Sequence, residues 1–148
     1  MTEQTNMLTA SQIQQDVIEL LEGSSLQQQI TGSIYPGTPE GSLRPRDSKK
    51  EDIVVIFTQG TADQIEEGTV TVNLYVTDLM QSDGTVVQNT ERIKTLEYYA
   101  ALWVDSLIDK PTAYRFTLGQ TIWAEREASI NQHFIVVKLN YKYYNGNR

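Results

Sequence analysis

The segment "GTVTVNLYVTD" at residues 68–78 decides the fold, because its side chains alternate in polarity with a period of two. Val70, Val72, Leu74 and Val76 fall on one side of an extended chain, whereas threonine, asparagine and tyrosine side chains fall on the other. This alternation is typical of a strand with one face on the core and one more polar face. The segment therefore predicts a β-sheet with two unlike faces.

Other strands are predicted on both sides of this segment. The apolar run at 53–57 is unbroken and indicates a strand covered on both faces. Segments 112–125 and 130–145 alternate again, with Gly119 expected to mark a bulge in the first of them. A short strand is also expected before Pro36, which would end it because proline lacks a backbone N–H.

Two helices are predicted from apolar residues that recur every three or four positions. The first begins at Thr9, has Gln12 in the position of a capping box, and is expected to stop at Gly23. The second begins near Thr90 and stops before Pro111. The order is helix, three strands, helix, two strands. We therefore predict a single α+β domain, with a mostly antiparallel sheet of about four to five strands packed by two helices.

Composition indicates one soluble domain over residues 1–148. The chain has 148 residues, of which 39% are hydrophobic, enough for one ordinary core. No apolar run is long enough to cross a bilayer, and the first residues lack the basic and apolar regions of a signal peptide. We expect a flexible arm at 1–8, a long protruding loop at 36–50 and a flexible tail at 145–148.

Cysteine content and net charge exclude several functions. The chain has no cysteine, which excludes disulfides, thiolate metal sites and cysteine nucleophiles. Its 12 basic and 19 acidic residues give a formal net charge of -7, which opposes sequence-independent binding to nucleic-acid phosphates. We predict no cofactor, no membrane contact and no specific nucleic-acid binding.

His133 is the one histidine of the chain and lies in the last predicted strand. A general base would also need a nucleophile or an orienting carboxylate, so a hydrogen-bonded strand residue is the simpler interpretation. The sequence has no phosphate loop, dinucleotide fingerprint or G-x-S-x-G motif. We therefore predict that the protein is not an enzyme and has no catalytic, cofactor-binding or metal-ligating residues.

Two segments carry residues suited to protein contacts. Within 40–52, four acidic residues balance four basic ones, and this loop is expected either to be disordered or to order against a neighbouring subunit. Near the C-terminus, tyrosines are interleaved with Lys138 and Lys142, which suits a subunit contact, with stacking on single-stranded nucleic acid as the alternative. The predicted interaction residues are Arg44, Arg46, Lys49, Lys50, Tyr141, Tyr143 and Tyr144.

The order of elements resembles the tail terminator and tail-completion proteins of tailed bacteriophages, including the minor head–tail joining proteins. The motifs that carry the resemblance are "IYP" at 34–36, after the first helix, and "VTVNLY" at 70–75, before the long helix. The resemblance implies a subunit of a hexameric ring at the head-proximal end of the tail, which ends tail-tube polymerisation and presents a surface to the filled head. Each subunit would join its sheet and long helix to its neighbours.

The same resemblance implies the partners and the location. The partners are further copies of the chain, the tail tube protein, and head–tail connector or neck proteins. DNA would only pass through the lumen, and the protein would belong to the virion, assembled in the cytoplasm of the bacterial host. The loop would project along the ring axis, so that deleting residues 38–48 is expected to leave the fold intact and abolish tail capping.

Three other interpretations remain open. A neck or head-completion protein on the portal-connector side would have the same ring and a different neighbour. A small soluble ligand-binding or regulatory domain would line a pocket with Trp103, Trp123 and tyrosines. A hydrolase would depend on His133.

Overall fold

A computed structural model describes residues 7–63, 65–110 and 112–144 of the chain. These residues form one α+β domain with helices and a mostly antiparallel sheet, as the sequence predicts. The helices are α1 (Ala10–Leu21), α2 (Ser25–Gln29) and α3 (Thr90–Ile108). The strands are β1 (Ile34–Thr38), β2 (Gly41–Ser42), β3 (Ile53–Ala62), β4 (Ile65–Thr77), β5 (Leu79–Met80), β6 (Val86–Val87), β7 (Tyr114–Leu118), β8 (Trp123–Glu127) and β9 (Gln132–Tyr144).

The main sheet has the order β2-β1-β3-β4-β9-β7, and β8 also pairs with β9. The pairing of β1 with β3 is parallel, and the other pairs of this sheet are antiparallel. The longest pairing joins β4 to β9, from Ile65 opposite Tyr144 to Thr77 opposite Gln132. Strands β5 and β6 form a separate two-stranded hairpin. The predicted strand at 68–78 is thus central to the sheet.

The core lies between α1, α3 and one face of the sheet. From β4, the alternating residues Val70, Val72, Leu74 and Val76 are buried in it, as the period of two predicts. From β9, buried residues of the same parity join them, and α1 and α3 contribute apolar residues at helical spacing. The β9 members are Ile135, Val137, Leu139 and Tyr141, and the α3 members are Ile93, Leu96, Ala100, Trp103, Val104 and Leu107.

The ends of the helices follow the predicted capping signals. The Thr9 hydroxyl accepts a hydrogen bond from the Gln12 backbone N–H at 3.2 Å, and Gly23 takes a positive φ of 78° just after α1. The short helix α2 was not predicted, and it is capped by Ser24, whose hydroxyl accepts from the Gln27 N–H. At the start of α3, Arg92 forms an ion pair with Glu51 at 2.6 Å, which ties this helix to the chain before β3. Of the described helices, none is long and apolar enough to span a membrane.

The sheet departs from the prediction in its number of strands. The segment 112–125 forms two strands, β7 and β8, because residues 119–122 are not part of the ladder with β9. Leu118 of β7 lies opposite Leu139, and Trp123 of β8 lies opposite Val136. The Gly119 N–H still donates to the Lys138 carbonyl at 2.7 Å. The interruption is therefore larger than the single bulge expected at Gly119.

Pro36 does not end a strand, which corrects the prediction. It lies within β1, opposite Val55 of β3. The Pro36 carbonyl accepts from the Leu43 N–H at 3.4 Å, on the side of β1 that faces away from β3. The N and C=O of one strand residue point to the same side, so the missing N–H of Pro36 removes no bond with β3.

The paired ends of β3 and β4 form a hairpin arm, which comprises residues 59–62 and 65–69. The arm carries Gly60 opposite Gly68, and Gly68 lies opposite Tyr141 of β9. A Cβ at Gly68 would lie 2.1 Å from the Gln59 carbonyl oxygen, and one at Gly60 would lie 2.5 Å from the Tyr141 hydroxyl. The two glycines therefore allow the strands of the arm and the Tyr141 side chain to approach closely.

The described residues include part of the predicted arm at 1–8. Residues 1–6 and the predicted tail at 145–148 lie outside the described ranges. Leu8 packs against the core, and its N–H donates to Glu66 Oε1 at 3.3 Å. Leu8, within the predicted flexible arm, is therefore held in place.

Candidate functional site

The helices cover one face of the main sheet and leave the other uncovered; we name the second the open face. Residues that are directly opposite each other in the ladder share a face, so the registers define its members. On β4 they alternate with the buried core residues Val70, Val72, Leu74 and Val76. The open-face residues used below are Tyr35, Val54, Ile56, Glu67, Thr69, Asn73, Tyr75, Arg115, Thr117, Trp123, Phe134, Val136, Lys138, Asn140 and Lys142.

One half of the open face is apolar and aromatic. Val54 and Val136 are buried, and Ile56, Trp123 and Phe134 are partly exposed. Tyr75 and Phe134 form a tilted ring pair with centroids 5.4 Å apart. This half presents apolar surface on a sheet face that the helices do not cover.

Asn73 lies in the middle of the apolar half. It is opposite Val54 on one side and Val136 on the other. Its Oδ1 is buried and has no hydrogen-bond partner among the residues that the structure describes. An unpaired buried acceptor is unfavourable, so this position costs the domain some stability.

The other half of the open face is polar and basic, and it holds a cavity of about 770 Å³ beside the hairpin arm. Arg115 of β7 and Lys142 of β9 are directly opposite each other, an arrangement of like charges that is unfavourable without an anion. Glu67 is opposite Lys142 on the other side, yet among the described residues the two do not form an ion pair. Thr69, Thr117 and Asn140 also line the cavity.

A buried ion pair closes the far end of the open face. Arg44 Nε donates to Asp52 Oδ2 at 2.8 Å, with side-chain exposures of 6% and 1%. Arg44 Nη2 donates to Gln132 Oε1 at 2.8 Å, and Gln132 Nε2 donates to the Ser48 carbonyl at 2.7 Å. Both charged groups of the cluster thus have partners, which burial requires.

This cluster changes the interpretation of the loop at 36–50. Its first residues belong to β1 and β2, and Arg44 fixes the remainder by donating to the carbonyls of Ser48 and Lys50 at 3.2 and 3.1 Å. The predicted protruding loop is therefore folded back onto the end of the sheet. Of its four predicted interaction residues, Arg44 is buried and unavailable to a partner, whereas Arg46, Lys49 and Lys50 are exposed.

The three predicted interface tyrosines do not share a face. Tyr141 is buried in the core, and Tyr143 packs against the core from the same side. Tyr144 has the opposite parity on β9 and is 45% exposed, and both Tyr144 and Tyr141 line the cavity beside the open face. The alternation along β9 already indicated that Tyr141 and Tyr143 face the core, because they lie on the same side of the strand as Ile135, Val137 and Leu139.

Burial raises the pKa of several tyrosines on both faces. For Tyr114, burial is the main cause of a pKa well above 10.0, and a hydrogen bond from its hydroxyl to Asp16 Oδ2 at 2.5 Å adds to it. For Tyr141, burial raises the pKa and nearby Glu66 adds to the effect. For Tyr75, burial raises the pKa although the Arg44 charge acts against it. All three side chains therefore favour the neutral form.

The residues considered for catalysis or for a ligand pocket, His133, Trp103 and Trp123, do not line the cavity. His133 Nδ1 lies 2.6 Å from Asp78 Oδ1, and both side chains are largely buried, with exposures of 13% and 4%. This agrees with a hydrogen-bonded strand residue. Trp103 is buried in the core, where its Nε1 donates to the Leu20 carbonyl at 3.1 Å, whereas Trp123 lies on the open face. Among the described residues, no group of three or more histidine, aspartate or glutamate side chains could hold a metal ion.

The fold and the site define an α+β domain with a sheet covered by helices on one face only. No protein-family model matches the chain, and no curated protein is significantly similar to it. Function must therefore be inferred from the surfaces of the molecule.

Proposed function

We propose that the protein is a structural virion protein that forms a hexameric ring at the head-proximal end of a bacteriophage tail. There it ends polymerisation of the tail tube and joins the tail to the head. The order of elements supports this role through the resemblance described above. The single observation that carries most weight is the open face, since a monomer gains nothing by leaving aromatic and branched apolar residues uncovered.

The open face has the composition of a protein interface. Its centre is apolar and aromatic, with Ile56, Trp123 and Phe134 partly exposed around buried Val54 and Val136. Its end is polar and charged, and aromatic residues in the centre with polar residues at the rim are typical of protein contacts. Covering apolar surface contributes about 25 cal/mol per Å², so a partner would stabilise this face.

The net charge suits a ring through which DNA passes. At -7 the chain repels phosphates overall, and carboxylates facing the lumen would keep DNA from binding tightly as it slides. In this proposal the contact with the tube or the connector is made by the exposed side chains of Arg46, Lys49 and Lys50, because Arg44 is committed to Asp52.

Electron microscopy of the purified protein, alone and mixed with tail tubes, tests the proposal. We expect rings of six subunits and density that caps one end of a tube. Ile56→Lys, on the open face, should prevent ring formation, whereas Leu79→Lys should not, because Leu79 is 50% exposed on the separate hairpin. Circular dichroism should show that both variants fold. A monomer that ignores tubes would contradict the proposal, and binding to connectors instead of tubes would identify a neck protein.

A small-ligand function is the second candidate, and the cavity beside the hairpin arm favours it. Its volume of about 770 Å³ falls within the range of ligand sites, and Arg115 and Lys142 would select an anion. Calorimetry with small carboxylates and phosphates tests this candidate. Binding by a protein that stays monomeric would favour it over the ring.

A further inference from the structure

The cavity beside the hairpin arm is lined by a regular array of polar side chains. Two rows cross the strands β3, β4, β9 and β7, and neighbours within a row lie directly opposite each other. At the usual spacing of strands, each row is about 14 Å wide and the rows are about 7 Å apart. We call these side chains the polar grid. The first row is Gln59, Thr69, Asn140 and Thr117, and the second is Thr61, Glu67, Lys142 and Arg115.

Most hydrogen-bonding groups of the polar grid remain available to a ligand. The Thr69 hydroxyl donates to Asn140 Oδ1 at 2.9 Å, which leaves the two N–H groups of the Asn140 amide. The side chains of Gln59 and Thr117 make no hydrogen bond with a described residue. Amides and hydroxyls both donate and accept hydrogen bonds, so the cavity offers the two kinds of group close together.

The charges of the polar grid lie at different ends. Lys142 and Arg115 are side by side on β9 and β7, whereas Glu67 is on β4. Arg115 Nη1 donates to the carbonyls of Thr112 and Tyr114 at 2.6 and 3.0 Å, which holds the guanidinium at the edge of the sheet. The two cations form a site for a carboxylate, and Glu67 can accept hydrogen bonds from hydroxyl groups.

The size and lining of the cavity narrow the class of ligand. A single phosphate or carboxylate would leave most of its volume of about 770 Å³ to water. None of the described lining residues is valine, leucine, isoleucine, methionine or phenylalanine, so apolar ligands and peptides with apolar side chains would gain little by burial there. The ring of Tyr144, which is 45% exposed, can pack on the C–H side of a sugar ring. A ligand with carboxylates, many hydroxyls and flat rings fits best.

We propose that this cavity binds an acidic oligosaccharide, a chain of sugar rings that carry carboxylates. One carboxylate lies between Arg115 and Lys142, and a sugar ring packs on Tyr144. The hydroxyls bond to the amides and hydroxyls of the polar grid and to Glu67. This inference rests on the small-ligand candidate above, whose class of ligand it names, and it does not depend on the ring.

Calorimetric titration of the full chain with matched saccharides tests the inference. The probes are tetrasaccharides of galacturonic, glucuronic and mannuronic acid, each compared with its methyl ester, which keeps the rings and hydroxyls but removes the charges. At least one acid should bind about tenfold or more tightly than its ester, because only the acid forms charge-assisted hydrogen bonds with Arg115 and Lys142. Inorganic phosphate and hexaglutamate control for charge alone, and both should bind at least about tenfold more weakly than that acid.

Three substitutions at exposed positions separate the effect of charge from that of the sugar ring. Lys142→Gln should bring the affinity for the acid close to that for the ester, and the affinity for the ester should stay the same. Tyr144→Ala should weaken binding of acid and ester by a similar factor. Lys94→Gln removes a charge from α3, which packs on the other side of the sheet, and should change neither affinity. Thermal unfolding should be nearly unchanged in all three.

The outcomes distinguish this inference from the candidate on which it rests. Phosphate or hexaglutamate binding as tightly as the best saccharide would overturn the oligosaccharide and leave the anion site in place. An equal loss of affinity in Lys94→Gln and Lys142→Gln would also overturn it, because binding would then follow net charge and not the cavity. Absence of binding by every probe would overturn both the inference and the small-ligand candidate. The ring is tested separately by microscopy.

Discussion

The guanidinium carbon of Arg44 lies 4.1 Å from the centre of the Tyr75 ring, while its Nε holds Asp52 in a buried ion pair. One side chain thus makes a cation–π contact with the open face and an ion pair with the residue just before β3. Asp52 Oδ1 in turn accepts from the Ser33 N–H at 2.9 Å. Arg44 therefore fastens the loop after β2 to the sheet, together with the bonds of Ser48 to Asp52 and Gln132.

Arg44→Met is expected to destabilise the domain by about 3–5 kcal/mol, because it leaves the buried carboxylate of Asp52 without its cation. Urea unfolding measures the loss. Arg46→Met, at a neighbouring exposed position, should change the free energy of unfolding by less than about 0.5 kcal/mol. Adding Asp52→Asn to Arg44→Met should recover part of the loss. Equal effects of the two single substitutions would contradict the role assigned to Arg44.

Deletion of residues 38–48 is now expected to destabilise the fold, since it removes Arg44 and Ser48 from the buried cluster. The proposed contact of the loop with the tail is better tested by the triple change Arg46→Glu, Lys49→Glu and Lys50→Glu. These side chains are exposed, so thermal unfolding should be nearly unchanged. Tail capping, counted on micrographs, should be lost. Normal capping by the triple variant would remove this loop from the tail contact.

Gly68→Ala is expected to destabilise the hairpin arm by about 1–3 kcal/mol, because the new methyl group would meet backbone rather than a flexible side chain. The nearest atoms are the Gln59 carbonyl oxygen at 2.1 Å and the Gly60 Cα at 2.6 Å. Gly41→Ala is the matched control, since a Cβ there meets nothing within 4 Å. Hydrogen exchange should show faster opening of the arm in Gly68→Ala alone. Unchanged protection would show that the arm can shift to make room.

Tyr114 should make stability fall in alkaline solution. Its pKa is raised in the folded protein by burial and by the hydrogen bond to Asp16, whereas in the unfolded chain it ionises near 10.0. Below that pH both states keep the proton, and above it the unfolded state alone loses it. The free energy of unfolding therefore decreases as pH rises above 10, with a slope of up to about 1.4 kcal/mol per pH unit for one proton.

Tyr114→Phe removes this dependence and is checked by urea unfolding at pH 8 and pH 11. At pH 8 the variant should be less stable by about 1.5–3 kcal/mol, because it loses a hydrogen bond to a charged group. At pH 11 the difference from wild type should be smaller. Tyr98→Phe, at an exposed position, should keep the wild-type decrease. A constant difference between Tyr114→Phe and wild type at both pH values would refute the linkage.

The elements that depend on local periodicity could be predicted from the sequence. The alternation around Val72 and the helical spacing around Trp103 predicted β4 and α3, because burying one face imposes the period directly. The same alternation places Tyr141 on the core side, although its aromatic ring suggested an interface. Giving the parity of β9 more weight than its composition would have assigned Tyr141 to the correct face.

The elements that depend on distant pairing could not be predicted in this way. The parallel pairing of β1 with β3, and the burial of Arg44, depend on residues brought together by the fold. Arg44 meets Gln132, which lies 88 positions away. A charged residue in a polar loop is usually exposed, so the local sequence around Arg44 predicts exposure and not burial. The open face could be defined only from the strand registers, which show on which face of the sheet each side chain lies.

The pairing of β4 with β9 also has a consequence for how the chain folds. Thr69 and Asn140, which are hydrogen-bonded across it, lie 71 positions apart in sequence. Topologies dominated by such non-local pairs fold slowly, because a long loop must close before its contacts form. The open face includes residues of both strands, so it is complete only after they have paired. In the proposed ring, a subunit would therefore offer this face to a partner only after the pairing of β4 with β9 has formed.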